Sequence, residues 1–147
     1  MKIFDILRPD NVSVMEEVAS KRDLLQILTQ NAAKTCKVDA RTLFDVVLER
    51  ESLGSTAFGK GTALPHGRIP ELSKTIAVFA KVTNGVDFEA GDEKSVDLVF
   101  MLLSPENSGA DHLQALAEIS AVLRNENLCA KLRKATTADE IYKILIK

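Results

Sequence analysis

Apolar residues recur along this chain with two different periods, and the change of period divides it into helices and strands. After Ser20, the residues Leu24, Leu25, Ile27, Leu28, Ala32 and Ala33 fall at helical spacing. Ser20 is placed to cap that helix and Asp23 to favour its first turn. A second helix is predicted after Asp39, with Leu43, Phe44, Val47 and Leu48 on one face, running into the charged cluster Glu49, Arg50 and Glu51. Residues 75–82 and 95–103 then read as strands. The second is an almost unbroken apolar run, the pattern of a strand covered on both faces. Asn84-Gly85 and Ala90-Gly91-Asp92 mark turns between the two.

Helical spacing returns after Asp111, which is read as the cap of a helix carrying Leu113, Leu116, Ala117, Ile119, Ser120 and Leu123. Two short helices finish the chain, one around residues 128–134 and one from Thr137, where Thr137 and Glu140 have capping-box spacing. Near the start only a short strand over residues 12–14 is predicted. The order of helices, strands and helices predicts an α/β fold: one domain over residues 1–147, a mixed β-sheet flanked by α-helices on both faces. It lacks the regular strand–helix alternation of a doubly wound nucleotide fold.

Residues 54–67, GSTAFGKGTALPHG, have neither period. Such a segment exposes backbone amides and reads as a loop that carries function. Its GSTAFGK portion matches the phosphate-binding G-x-x-x-x-G-K pattern. However, Gly61 stands where that motif needs a magnesium-holding hydroxyl, and the segment follows a helix rather than a strand. Nucleotide binding is therefore not expected there.

Composition narrows the remaining classes. Nineteen basic and 21 acidic residues are interspersed, for a net charge of −2, so neither a nucleic-acid footprint nor a membrane-binding basic patch is present. The N-terminal residues are interrupted by Asp5, Arg8 and Asp10, and no stretch reaches the ~18 uncharged apolar residues of a membrane helix. A soluble, cytoplasmic protein is expected, with no direct membrane insertion. Cys36 and Cys129 have no paired spacing and read as packed thiols rather than zinc ligands.

Only two histidines are available for chemistry. His66 lies between Pro65, which fixes the backbone before it, and Gly67, which permits close approach after it; Arg68 brings positive charge. His112 follows Asp111 at a helix start. A histidine that carries a phosphoryl group must be neutral to attack, and its site must offer hydrogen-bond donors and positive charge to the phosphoryl oxygens. Gly54, Ser55, Thr56, Gly67 and Arg50 are candidates to supply them. No metal or cofactor is required if the donor is itself a phosphoprotein.

The stretch over residues 50–68, RESLGSTAFGKGTALPHGR, resembles the IIA domains of the fructose/mannitol class of the bacterial phosphotransferase system. The family pattern is R-E-x-x-G-S-T-G-x-G-x-G-x-A-x-P-H, from which this chain departs at Ala57. The resemblance continues through residues 96–103 and 112–116. It implies that His66 accepts a phosphoryl group from a small histidine phosphocarrier protein. It also implies that His112 hydrogen-bonds that group, that Arg50 stands beside it, and that the fold is a mixed sheet flanked by helices. Within the family the chain looks most like the nitrogen-regulatory branch. That branch has no sugar target, and its phosphorylation state controls partners such as sensor kinases, potassium transporters and regulatory enzymes. The alternative is a sugar-specific component passing phosphate to a fructose- or mannitol-type IIB transporter domain.

Overall fold

A computed structural model describes residues 1–147. The elements follow in the order α1 (Ile3–Ile6), β1 (Leu7–Met15), α2 (Lys21–Ala33), α3 (Ala40–Ser52), β2 (Ala57–Gly59), β3 (Thr62–Ala63), β4 (His66–Ile69), β5 (Ile76–Val86), β6 (Val96–Pro105), α4 (Ala110–Arg124), α5 (Glu126–Lys134) and α6 (Ala138–Leu145). The strands form one six-stranded mixed sheet in the order β1-β5-β6-β3-β2, with β4 also pairing to β6. β1 runs parallel to β5, β5 antiparallel to β6, and β6 parallel to both β3 and β4. This is the expected α/β architecture.

Alternation along β5 and β6 divides the interior into two cores. Val78, Ala80 and Val82 of β5, with Val99, Met101 and Leu103 of β6, face α2 and α3 through Leu24, Leu25, Leu28, Leu43 and Val47. Ala77, Phe79, Leu98, Phe100 and Leu102 face the other helices through Ile119, Leu123, Leu132 and Ile141. Phe79 and Phe100 are directly opposed in the antiparallel ladder and meet edge to face, with centroids 5.3 Å apart. Such a pair contributes about 0.5–1.5 kcal/mol beyond its buried area.

Helix starts follow local chemistry. Ser20 accepts from the Asp23 N–H at 3.0 Å, and Asp39 from the Thr42 N–H at 2.9 Å. At α6 the Thr137 hydroxyl accepts from the Glu140 N–H at 3.2 Å. The Glu140 carboxylate reaches back to the hydroxyls of Thr136 and Thr137.

Four local expectations change. β1 extends over Leu7–Met15, well beyond residues 12–14, because its register breaks between Leu7 and Val12 and the polar residues between them sit in that irregularity. It is an edge strand, where Pro9 is tolerated. Asn84-Gly85 lies inside β5, not in a turn: the register shifts between Lys81 and Val86, and Gly85 takes φ +74°. α4 is capped by Gly109, and Asp111 lies in its first turn, where a carboxylate suits the helix dipole. The glycine-rich loop is folded into the short strands β2, β3 and β4.

Candidate phosphoryl-transfer site

β4 owes its position to β6. Its parallel register places His66 beside Leu102 and Arg68 beside Ser104. Paired residues of neighbouring strands share a face, and so do residues two apart. His66, Arg68, Leu102 and Ser104 therefore all belong to the face on which Leu102 packs against α4. The first turn of α4 brings His112 to that same face.

His66 is half-buried, and its Nδ1 lies 2.8 Å from the Leu64 carbonyl oxygen. A carbonyl can only accept, so in the neutral ring Nδ1 carries the proton and Nε2 keeps its lone pair. Pro65 helps to hold this geometry: its own carbonyl accepts from the Leu102 N–H at 3.0 Å, tying the chain before His66 to β6.

His112 is 5% exposed, and its Nδ1 lies 2.7 Å from the Ser104 hydroxyl oxygen. The rings of His66 and His112 are 6.3 Å apart between centroids and tilted by 48°. Burial first, and then the charges of Arg68 and His66, push the His112 imidazole below its ordinary value. The shift favours the neutral ring.

Arg50 lies in the last turn of α3, and its guanidinium donates to the Gly54 carbonyl at 2.9 Å. Val46, one turn earlier on the same helix face, packs over Gly67. A Cβ on Gly67 would meet Val46 Cγ1 at 2.9 Å, so α3 can approach β4 here only because residue 67 has no side chain. This is the close approach expected at Gly67, and the approaching group is a helix of the same chain.

The loop between α3 and β2 is held by its own polar groups. The Gly54 N–H donates to the Glu51 carbonyl at 3.1 Å. The Ser55 hydroxyl donates to the Phe88 carbonyl at 2.8 Å and accepts from the Ala57 N–H at 3.1 Å. Thr56 gives both its N–H and its hydroxyl to the Glu51 carboxylate. Glu51 is only 6% exposed and is neutralised by Lys21 Nζ at 2.8 Å. Lys21 also lies 4.6 Å from the centroid of the Phe88 ring. In this structure the hydroxyls of Ser55 and Thr56 thus bind the loop to the body of the domain.

Lys60, the lysine of the apparent nucleotide motif, occupies the β2–β3 hairpin tip and pairs with Glu126 at 2.8 Å. No three His, Cys, Asp or Glu side chains gather as a metal site. Both cysteines are free thiols, with Cys129 buried and Cys36 half-buried. No helix is long and apolar enough to cross a membrane.

Glu51, Lys21 and Ser104 escape a reading of the sequence for chemistry. Glu51 looks like one member of a charged cluster. Lys21 sits thirty residues upstream of it. The available signal for Ser104 is a lone hydroxyl ending an apolar strand eight residues before a histidine.

Comparison with known proteins places the chain as a whole. The sequence profile described as "Phosphoenolpyruvate-dependent sugar phosphotransferase system, EIIA 2" matches residues 5–147. A "Nitrogen regulatory protein" of Bradyrhizobium diazoefficiens is 44% identical over 145 residues, covering 99% of this chain and 95% of that protein. A "PTS system fructose-specific EIIA component" of Haloferax volcanii is 35% identical over 135 residues, covering 91% of this chain and 88% of that protein. The crystal structure of the nitrogen regulatory protein IIA-Ntr from Neisseria meningitidis superposes with a TM-score of 0.91 at 31% identity, covering 97% of this chain and 98% of that one.

Proposed function

Because the chain belongs to the EIIA 2 family of the phosphoenolpyruvate-dependent sugar phosphotransferase system, we propose that it is a regulatory phosphocarrier. In this reading it accepts a phosphoryl group on His66 from a histidine phosphocarrier protein and controls partner proteins through its phosphorylation state. The family is a component of a phosphoryl-transfer relay, which supplies the chemistry. The observation that carries the assignment to His66 is its hydrogen bond to the Leu64 carbonyl, which leaves Nε2 as the nucleophile.

Transfer needs no net proton movement. The Nε2 lone pair attacks phosphorus in line as the bond from phosphorus to the donor's histidine nitrogen breaks. The donor histidine, protonated on its other ring nitrogen, leaves as a neutral imidazole with that electron pair. The proton on His66 Nδ1 stays in place, and the Leu64 carbonyl stabilises the positive charge that develops on the ring. His112 donates to a phosphoryl oxygen, while Arg50 and Arg68 supply positive charge. Gly54, Ser55, Thr56 and Gly67 shape the ground on which Arg50 and His66 stand.

The regulatory reading rests on the relatives: the 44% identical protein and the structure with a TM-score of 0.91 are both nitrogen regulatory proteins. Partners of such a protein would be sensor kinases or potassium transporters, sensitive to the roughly −1.5 to −2 charge that a phosphoryl group adds. The Haloferax relative keeps one alternative in view, in which the phosphoryl group on His66 passes to a sugar-transport IIB domain.

The test is incubation with phosphoenolpyruvate and the general phosphotransferase proteins. Acid-labile, base-stable label should appear on wild type and be absent from His66→Ala. Undiminished labelling of His66→Ala would remove the assignment. Transfer of the label to a IIB domain at relay rates would favour the sugar reading.

A further inference from the structure

The His112 imidazole needs a defined tautomer to serve as a donor, and nothing in its own side chain fixes one. Its Nδ1 faces a single polar group, the Ser104 hydroxyl at 2.7 Å. Ser104 is fully buried on β6, and its hydroxyl has no hydrogen-bond partner other than this nitrogen. That hydroxyl carries one hydrogen to donate. If His112 Nδ1 held the ring proton, the serine hydrogen would be left in a dry interior with no acceptor, an arrangement folded proteins avoid. If the serine donates to Nδ1, the serine hydrogen and Nδ1 satisfy each other, and the ring proton resides on Nε2, which has no partner within the protein and is left free to donate.

We infer that Ser104 is a positioning residue for phosphoryl transfer: by donating its hydroxyl hydrogen to His112 Nδ1, it holds His112 as the Nε2–H tautomer and makes it a donor toward the phosphoryl group on His66. The transfer part of this inference rests on the function proposed above; the tautomer part does not. The two histidines are thereby set to opposite tasks. The Leu64 carbonyl accepts from His66 and leaves a bare Nε2 to attack. The Ser104 hydroxyl donates to His112 and leaves an Nε2–H to stabilise. The second partner of an imidazole decides which nitrogen is protonated.

The strand ladder adds support independent of the hydrogen atoms. Ser104 is paired with Arg68 and lies two residues beyond Leu102, the partner of His66. One pair of strands therefore fixes the nucleophile, an arginine and the residue that orients the helper histidine. A serine shift along β6 by one residue would turn the hydroxyl to the opposite core.

The test is the nitrogen-15 spectrum of the imidazoles in the unphosphorylated full-length protein, above the pH at which His112 titrates. Wild type should show His66 as the Nδ1–H tautomer and His112 as the Nε2–H tautomer. In Ser104→Ala, His112 should shift to a mixture or to Nδ1–H while His66 is unchanged. Phosphoryl transfer to His66 in that variant should slow by roughly tenfold to a hundredfold. A wild-type His112 found as Nδ1–H overturns the inference, whatever Ser104→Ala does. So does a folded Ser104→Ala protein with an unaltered tautomer or an unaltered rate. Because the tautomers are read without any phosphoryl donor, failure of His66 to label would remove the proposed function and leave the tautomer assignment standing or falling on its own spectrum.

Discussion

His66 and His112 hold their rings 6.3 Å apart, yet their Nδ1 atoms face groups of opposite character, a carbonyl oxygen at 2.8 Å and a hydroxyl at 2.7 Å. Two chemically identical side chains are thereby given different protonation patterns. His66 is half-buried, so a partner protein can reach it, whereas His112 is enclosed. Removing each should therefore have a different effect. His66→Ala should abolish phosphorylation and leave the circular dichroism spectrum unchanged. His112→Ala should still label, but at a rate lower by roughly a hundredfold, the scale of losing one preorganised donor. Rapid-quench kinetics would separate the two, and wild-type rates for His112→Ala would end its proposed role.

His112 also makes stability depend on pH. Its folded value is depressed by burial and by the charges of Arg68 and His66, relative to an ordinary value of 6.5. As pH falls below about 6.5, the unfolded chain binds a proton that the native ring resists. The unfolded state is then favoured, so His112 erodes stability through the window between the ordinary and the depressed value. Above that window it costs nothing. Urea titrations at a series of pH values should show this slope in wild type, and His112→Asn should flatten it.

Glu51 is placed to matter to the loop rather than to the phosphoryl group. Its carboxylate holds both polar groups of Thr56 and is neutralised by Lys21. Glu51→Gln would leave Lys21 with only the exposed carboxylate of Glu89, at 3.3 Å. Breaking a fully buried pair costs ~3–5 kcal/mol, and the partial exposure of Lys21 lowers the expected loss to about 2 kcal/mol. Chemical denaturation should read that loss, with faster amide exchange at Thr56.

Gly67 should tolerate no side chain while Val46 is present. Gly67→Ala drives a methyl group to within 2.9 Å of Val46 Cγ1. Overpacking of this kind costs about 1–3 kcal/mol. Val46→Ala should recover most of it, so a double-mutant cycle would show strong coupling between two residues that have no chemistry in common.

Arg50 holds the end of α3 through the Gly54 carbonyl and is assigned a role at the phosphoryl oxygens. Arg50→Ala should slow transfer by roughly tenfold or more while costing about 1 kcal/mol of stability. Arg50→Lys should not restore the rate, because a single ammonium cannot serve a carbonyl and a phosphoryl oxygen in one fixed plane. A lysine variant with wild-type single-turnover rates would show that charge alone suffices.

Helices α2, α3 and α6, and the central strands β5 and β6, were legible because their signals are local. A capping side chain and an apolar period are properties of neighbouring residues, and Ser20, Asp39 and Thr137 cap as expected. β1 was only partly legible, because an edge strand with an irregular register lets Arg8, Pro9 and Asp10 face outward and break the alternation. α4 begins at Ala110, ahead of Asp111 and behind Gly109, whose backbone takes φ +49°, a conformation glycine adopts freely.

By itself the sequence determined the α/β class, the two histidines and Arg50 as candidates, and the likeness over residues 50–68 to one family. The class follows from periodicity and the histidines from their rarity and their neighbours, whereas the likeness rests on the motif over residues 50–68 and is what gives Arg50 its role. Only the tertiary structure decided which polar group each imidazole Nδ1 faces, that Thr56 serves Glu51, and that Gly67 makes room for Val46. Each of those depends on groups that lie far apart in sequence or on the direction of a single hydrogen bond. Residue type gives an imidazole the capacity both to donate and to accept, and the partner that the fold brings to Nδ1 selects between them.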